Sequence, residues 1–279
     1  MDVVSEGIDY AAVQRYWEDA GSQTAWSAAY MAHEQGLPDD CVRFRFAKES
    51  AVVDGWFSAL AAGSSVLDLG CGPGAWSLHF ARRFERVVAV EQSLTMFEAA
   101  RENLAGVANV ALVNANALSV DLSEQFDGVF LGGLLMYLNH EDAVALLRRL
   151  RAFLKPGACV VLRESTVRKG MEAKTGAYHV IYRSPAVYQA LVRESGLQVV
   201  ATELNAGYAT MEIATELVNC LRSLPLLRSL DVSFLGKAVW TVLRATQPLS
   251  LRLLPTLLAR LGVAWPHLQN HFFLLTDES

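Results

Sequence analysis

The stretch VLDLGCGPGAWS, from Val66 to Ser77, constrains this chain more than any other part of its 279 residues. It joins a short apolar run to three closely spaced glycines and then to a helical pattern. Glycines let a backbone approach a ligand closely, and the N-terminus of a following helix offers unpaired N–H groups. The stretch therefore predicts a strand, a ligand-binding turn and a helix.

The sequence around this stretch predicts the fold class. From Ser65 onward, short β-rich runs alternate with helical segments. Such alternation is typical of an α/β fold, and we predict a doubly wound, mostly parallel seven-stranded sheet with N-terminal helices. About sixty residues separate the run LQVVATEL from the last strand NHFFLLTDE, which is too long for a structureless loop. We therefore predict a helical insertion before the last strand.

Asp68 restricts the ligand that the glycine turn can hold. The dinucleotide fingerprint is G-x-G-x-x-G, whereas here Gly70 and Gly72 are followed by Gly74, one position early, and by Ala75. Because alanine is tolerated there, spacing alone leaves an NAD(P)-dependent dehydrogenase open as an alternative. An acid at the end of the first strand would repel a pyrophosphate, but it suits a ligand with a cationic amine.

Two motifs resemble the class I S-adenosylmethionine-dependent methyltransferases. VLDLGCGPG matches the glycine motif of that family, and Glu91 in VVAVEQS matches its acid after the second strand. The resemblance covers about Gly63 to Leu204 and implies S-adenosylmethionine as the cofactor. It implies that Asp68, Gly70 and Gly72 line the methionine end, while Glu91 accepts hydrogen bonds from the ribose hydroxyls.

Further cofactor-binding residues follow from the same resemblance. Cys71 lies within the glycine turn, and Gln92 is placed beside the adenine. The family often has an acid after its third strand, where VNANAL supplies Asn116 and Ala117 instead. An amide carbonyl can accept the same hydrogen bond.

The resemblance and the helical patterns on either side of it divide the chain. We assign residues 63–205 and 267–279 to an S-adenosylmethionine-binding Rossmann-like domain. Residues 1–62 are predicted to form an N-terminal helical lid, and residues 206–266 a helical cap over the acceptor.

Candidate catalytic residues follow the fifth strand, because ligands of open α/β sheets bind beyond the carboxyl ends of the strands. VVLRESTVRKG and YHVIYRSPAVYQALVRESGL resemble segments of the protein α-N-terminal methyltransferases, where a basic-acidic-polar triplet ends that strand. This resemblance implies that Glu164 orients or deprotonates the acceptor. Tyr178 and His179 are the next candidates for that role. Alternatively, Glu164 forms an ion pair with Arg163 or Arg168, and His179 is an ordinary partly buried histidine.

Composition excludes several classes of function. A net charge of −5 disfavours a nucleic-acid partner that depends on a broad basic surface. The four cysteines lie at least 30 positions apart, which fits neither a clustered zinc site nor a disulfide-rich domain, so we expect no metal. The N-terminus lacks the pattern of a secretory signal, which predicts a cytoplasmic protein.

The segment from Leu221 to Gly262 has a different composition. It is rich in leucine and carries six cations against the single acid Asp231. Such a segment could cap a hydrophobic or anionic acceptor, lie on a membrane surface, form a homo-oligomer interface, or pack on the sheet with its cations in water.

These observations predict a methyltransferase that acts on a small, apolar or amphipathic metabolite. A related fold that binds the cofactor without transferring methyl, as a cyclase or a regulator, would carry the same binding motifs and stays open as an alternative.

Overall fold

A sheet of nine strands organises the part of the chain that the computed structural model describes, residues 7–21, 36–176, 179–225, 230–247, 249–250, 253, 257, 260 and 266–277. The strands are β1 Ser65–Leu69, β2 Arg86–Glu91, β3 Val110–Asn114, β4 Phe126–Gly132, β5 Leu154–Thr166, β6 Met171–Lys174, β7 Val180–Arg183, β8 Gln198–Leu204 and β9 Gln269–Thr276. The helices are α1 Tyr10–Gly21, α2 Asp40–Trp56, α3 Ala75–Ala81, α4 Leu94–Asn103, α5 His140–Leu150, α6 Pro185–Ser195, α7 Ala206–Ser223 and α8 Val232–Ala245.

The strand order confirms the predicted doubly wound, mostly parallel sheet. The order is β3-β2-β1-β4-β5, and every neighbouring pair in this series is parallel. Strand β9 pairs with β5 and with β8. All five residues of β1 are buried, which explains why its sequence is a nearly continuous apolar run. The carboxyl ends of β1, β2 and β3 therefore lie side by side at one edge.

The sheet has two more strands than the predicted seven. Strands β6 and β7 form an antiparallel pair, and β7 joins the sheet where Arg183 pairs with Thr166 at the end of β5. The pattern MEAK in β6 is exposed at every position. Without an alternation of buried and exposed residues, its sequence carried no strand signal.

The chain divides into two compact units. The sheet unit comprises residues 1–29, 55–203 and 271–279, and the helical unit comprises residues 30–54 and 204–270. The residues predicted as an N-terminal lid are thus shared between the two units. The roles of a lid for residues 1–62 and of a cap for residues 206–266 stay predictions.

A buried polar cluster lies inside the helical unit. Arg45 and Glu49 form an ion pair with a distance of 2.7 Å, and both side chains are almost fully buried. The side-chain amide of Asn205 donates to Glu49 at 2.7 Å and to Asn270 at 2.9 Å. The other end of the same amide caps α7, because its oxygen accepts the Tyr208 N–H at 2.9 Å.

We expect Asn205→Ala to lower the free energy of unfolding by about 2 kcal/mol, because it removes a helix cap and a donor to a buried carboxylate. Asp231→Ala is the matched control, since Asp231 caps α8 from an exposed position. Asp231→Ala should lower the free energy of unfolding by only about 1 kcal/mol. Urea denaturation of both variants measures the difference, and equal losses would contradict the role given to Asn205.

Candidate active site

The three glycines of the turn after β1 have different roles. Gly70, Gly72 and Gly74 all have positive φ, at 77°, 54° and 85°, a region that side chains disfavour. A Cβ on Gly74 would lie 3.0 Å from the Leu104 side chain, so this glycine is needed for packing. A Cβ on Gly72 would meet nothing within 4 Å. The open side of Gly72 leaves room for a ligand against the backbone.

Asp68 lies next to this turn and is buried. Its carboxylate accepts a hydrogen bond of 2.6 Å from the Ser77 hydroxyl at the start of α3. Burial raises the pKa of Asp68 to about 7, and the nearby Glu91 adds to the rise, while Ser77 opposes it. A buried carboxylate of this kind favours a cationic ligand group, which would replace the water that it has lost.

Glu91 connects the turn after β1 to the turn after β2. One carboxylate oxygen accepts the Gly72 N–H at 2.9 Å, and the other accepts the Ser93 N–H at 2.8 Å. Burial raises the pKa of Glu91, whereas the N–H groups of Ser93 and Gly72 lower it. Each oxygen keeps a second lone pair, so the carboxylate can accept both hydroxyls of a diol.

Cys71 lies inside the glycine turn, and its predicted contact with the cofactor stays a prediction. The N–H groups of Gly70 and Cys71 both donate to the Val90 carbonyl, which ties the turn to β2. The Cys71 side chain is buried, and burial raises the pKa of its thiol well above the usual value. The thiol is therefore neutral and packed rather than nucleophilic.

The remaining predicted cofactor residues lie on turns at the same edge. Gln92 follows β2 and is exposed. Its backbone carbonyl accepts a hydrogen bond of 3.1 Å from the side-chain amide of Asn114. Asn116 follows β3 and is exposed too, and its side-chain oxygen accepts the Leu118 N–H at 2.7 Å. Ala117 lies in the same turn. The strand order brings all these turns beside the glycine turn.

Helix α1 crosses this edge of the sheet unit. At its beginning, the Ile8 N–H donates to the Asn139 side chain at 2.8 Å, just after β4. Near its end, the Thr95 hydroxyl of α4, just after β2, donates to the Glu18 carbonyl at 2.8 Å. Because β1 lies between β4 and β2, α1 spans the end of β1, where the glycine turn begins.

A buried acid holds the segment after β4. The Glu164 side chain of β5 is fully buried. One of its oxygens accepts the Leu134 and Leu135 N–H groups at 3.1 and 2.9 Å, and the other accepts the Met136 N–H at 3.3 Å. Burial raises the pKa of Glu164 to about 7, and the Leu135 N–H and Arg183 oppose the rise.

Arg183 holds the other end of the same segment. Its guanidinium is fully buried and donates to the Leu135 and Leu138 carbonyls at 2.8 and 2.6 Å. Glu164 and Arg183 therefore hold the short 3-10 helix Leu135–Tyr137 through the N–H and carbonyl groups in and around it. We call this arrangement the Glu164–Arg183 clamp.

The clamp positions two side chains at the edge. The Leu134 side chain would lie only 3.4 Å from a Cβ on Gly70, so it packs against the glycine turn. The Tyr137 ring meets the Trp17 ring of α1 edge to face, with centroids 5.6 Å apart. These contacts favour a positioning role for Glu164, and its predicted contact with an acceptor stays a prediction.

Of the other two predicted catalytic residues, the structure describes only His179. Tyr178 lies outside the described residues. His179 is partly buried and lies near the start of α1. This position follows from Asp9, whose pKa is lowered chiefly by a backbone hydrogen bond from Ala12 and to a smaller extent by His179.

His271 is a candidate site residue that the sequence analysis did not identify. Its Nδ1 lies 2.7 Å from the hydroxyl of Thr166, the last residue of β5. Burial lowers the pKa of His271 to about 4, so the imidazole is neutral at pH 7 and is a weak base. Only the pairing of β9 with β5 brings it there, more than 100 positions along the chain from Thr166.

Comparisons with known proteins agree with this geometry. Residues 66–157, from β1 to the start of β5, match the model of a methyltransferase-domain family. Phosphoethanolamine N-methyltransferase 1 of Triticum aestivum is 30% identical over 137 residues, covering 48% of this chain and 28% of that protein. Residues 66–157 therefore match a methyltransferase domain, and the chain spans less than a third of the length of the Triticum aestivum enzyme.

Two longer matches extend beyond the core of this methyltransferase domain. Alpha N-terminal protein methyltransferase 1 of Arabidopsis thaliana is 23% identical over 235 residues, covering 74% of this chain and 85% of that protein. The solved structure of an S-adenosylmethionine-dependent methyltransferase from Leishmania major has the same fold, with a TM-score of 0.59 and 20% identity. The matched region covers 70% of this chain and 76% of the Leishmania major chain. These matches do not favour the dehydrogenase alternative.

Proposed function

We propose that this chain transfers a methyl group from S-adenosylmethionine to a small, apolar or amphipathic acceptor. The observation that carries the proposal is the arrangement of Asp68, Gly72 and Glu91, which combines a buried acid, an open glycine and a bridging carboxylate at one edge of the sheet. S-adenosylmethionine, when bound, supplies an electrophilic methyl group on a sulfonium.

The residues of this edge would each recognise a different part of the cofactor. The Asp68 carboxylate would face the ammonium group, with the Ser77 hydroxyl fixing its orientation. The free lone pairs of Glu91 would accept the two ribose hydroxyls, while Gly72 allows the backbone to approach. Gln92, Asn116 and Ala117 would border the adenine. Recognition thus rests on a cationic group and a diol, and it requires no phosphate.

The acceptor would bind beyond the ends of β4 and β5. Ligands of open α/β sheets occupy this position, and the Glu164–Arg183 clamp holds its wall. Holding an acceptor in line with the methyl group supplies much of the acceleration. An acceptor that keeps its proton at neutral pH needs a base as well. His271 lies at this edge, but its lowered pKa favours a hydrogen-bonding role over that of a base.

Two measurements test the proposal together. Calorimetric titration should show binding of S-adenosylhomocysteine and none of NADH. A screen of small O-, N- and C-nucleophiles for release of S-adenosylhomocysteine should then identify the acceptor. Tight NADH binding without S-adenosylhomocysteine binding would overturn the proposal. Cofactor binding without turnover of any acceptor would favour a cyclase or regulatory role.

The pKa of Asp68 makes cofactor binding depend on pH. Below pH 7 a growing share of the free protein carries a neutral Asp68, since burial raises its pKa to about 7. A cationic ammonium favours the carboxylate, so binding should lower that pKa and release a proton. We expect the affinity for S-adenosylhomocysteine to rise with pH up to about 7 and then to level off.

Calorimetry in two buffers of different ionisation enthalpy measures the released proton. Asp68→Asn should bind more weakly and show a flat pH profile. Ser77→Ala removes a hydrogen bond that lowers the Asp68 pKa, and should therefore move the rise to higher pH. A flat profile in the unsubstituted protein would show that Asp68 does not meet the cofactor.

A further inference from the structure

One segment of the helical unit, positions 224–260, combines exposed apolar side chains with cations. Among the described residues, seven of the twelve exposed large apolar side chains lie between positions 224 and 257. This concentration falls in a short part of the chain, so it is not an even scatter of surface apolar residues. The seven are Leu224, Leu230, Phe234, Val242, Leu249, Leu253 and Leu257. Together with Lys237, Arg244 and Arg260 we call them the basic apolar surface.

Helix α8 shows that this exposure is not explained by packing within the unit. Its inner face is packed, because the Trp240 indole donates to Asp40 at 3.1 Å and its ring meets the Phe44 ring with centroids 5.4 Å apart. Its outer face nevertheless carries Phe234 and Val242, which are 64% and 61% exposed. A helix that is apolar on a second, outer face normally contacts something besides water.

The charges of the segment point to an anionic contact. Lys237 and Arg260 are exposed, and Arg244 is exposed too but forms an ion pair of 3.0 Å with Asp40. The only acid between positions 221 and 262 is Asp231, and its carboxylate caps α8 by accepting the N–H groups of Ser233 and Phe234 at 2.9 and 3.0 Å. The segment is thus strongly basic, although the whole chain carries a net charge of −5.

We propose that the basic apolar surface binds a membrane face that carries anionic lipid headgroups. The apolar side chains would enter the boundary between headgroups and acyl chains, while the lysine and arginines contact the phosphates. A second copy of this chain is a poorer partner for this surface, because a symmetric pair would bring the same cations together. The proposal is independent of methyl transfer.

Sedimentation of the full chain with lipid vesicles tests the proposal. We expect binding to vesicles of phosphatidylcholine mixed with phosphatidylglycerol, weaker binding to phosphatidylcholine alone, and a loss of the difference when salt is added. The double substitution Leu253→Asp and Leu257→Asp should weaken binding roughly tenfold or more. Lys237→Glu with Arg260→Glu should remove the preference for phosphatidylglycerol.

Val200→Asp is the matched control, because Val200 is 59% exposed on β8, outside the basic apolar surface. It should bind vesicles like the unsubstituted chain, and circular dichroism should show all variants folded. The proposal is overturned if the unsubstituted chain does not sediment with anionic vesicles, or if the Leu253 and Leu257 variant binds as well as the control. A dimer in light scattering that only this variant disrupts would identify a second copy as the partner instead.

Discussion

Arg183→Met should lower the free energy of unfolding by about 3–5 kcal/mol, the usual cost of removing one partner from a buried charged network. The substitution removes the buried donor of the Leu135 and Leu138 carbonyls and one of the two arginines near Glu164, the other being Arg163. Denaturation in urea, followed by circular dichroism, measures the loss. Arg193→Met is the control, since Arg193 is exposed on α6, and it should change stability by less than about 0.5 kcal/mol.

Arg183→Lys separates charge from geometry in the same clamp. A lysine keeps the cation but cannot reach two carbonyls with a rigid fork, so this variant should lie between the unsubstituted protein and Arg183→Met. Where the variants remain folded, affinity for S-adenosylhomocysteine should fall as well, because the clamped segment places Leu134 against Gly70. If Arg183→Met were as stable as Arg193→Met, the clamp would not be holding the 3-10 turn.

Glu91→Ala should weaken the binding of S-adenosylhomocysteine by about 2–3 kcal/mol, because it removes charge-assisted hydrogen bonds to the ribose. This corresponds to a loss of roughly 30- to 150-fold in affinity. The loss includes a contribution from the protein itself, since the Gly72 and Ser93 N–H groups lose their acceptor and the glycine turn is held less firmly. Calorimetric titration measures the affinity.

Glu102→Ala controls for the removal of a negative charge, because Glu102 is an exposed acid on α4. It should bind like the unsubstituted protein. Glu91→Gln keeps the shape and one acceptor oxygen, so an intermediate affinity is expected. An unchanged affinity in Glu91→Ala, with a native circular dichroism spectrum, would move the cofactor away from this edge.

The position of the candidate cofactor residues at one edge of the sheet was predictable because these residues lie close together along the chain. Asp68, Gly70 and Gly72 occupy one strand and the turn that ends it, and Glu91 ends the next strand. Parallel strands with helical connections align their carboxyl ends, so a local pattern was enough to place these residues at one edge. The structure adds the hydrogen bond between Glu91 and Gly72, which depends on the register of β1 and β2.

The acceptor half was less predictable because burial and distant partners decide what each residue does. Glu164 reads as an acid at the end of a strand, but the backbone around Leu135, about 30 positions earlier, occupies its oxygens. Arg183 and His271 carried no signal, since their partners come from other strands and turns.

The sequence by itself determined the strand-turn-helix unit, its acids and the alternation that builds a parallel sheet, because these depend on short-range periodicity and on the conformational freedom of glycine. Only the tertiary structure decided the additional strands β6 and β7, the Glu164–Arg183 clamp and the neutral His271. Desolvation and hydrogen bonding change the chemistry of a side chain, and both are set by neighbours that are distant along the chain.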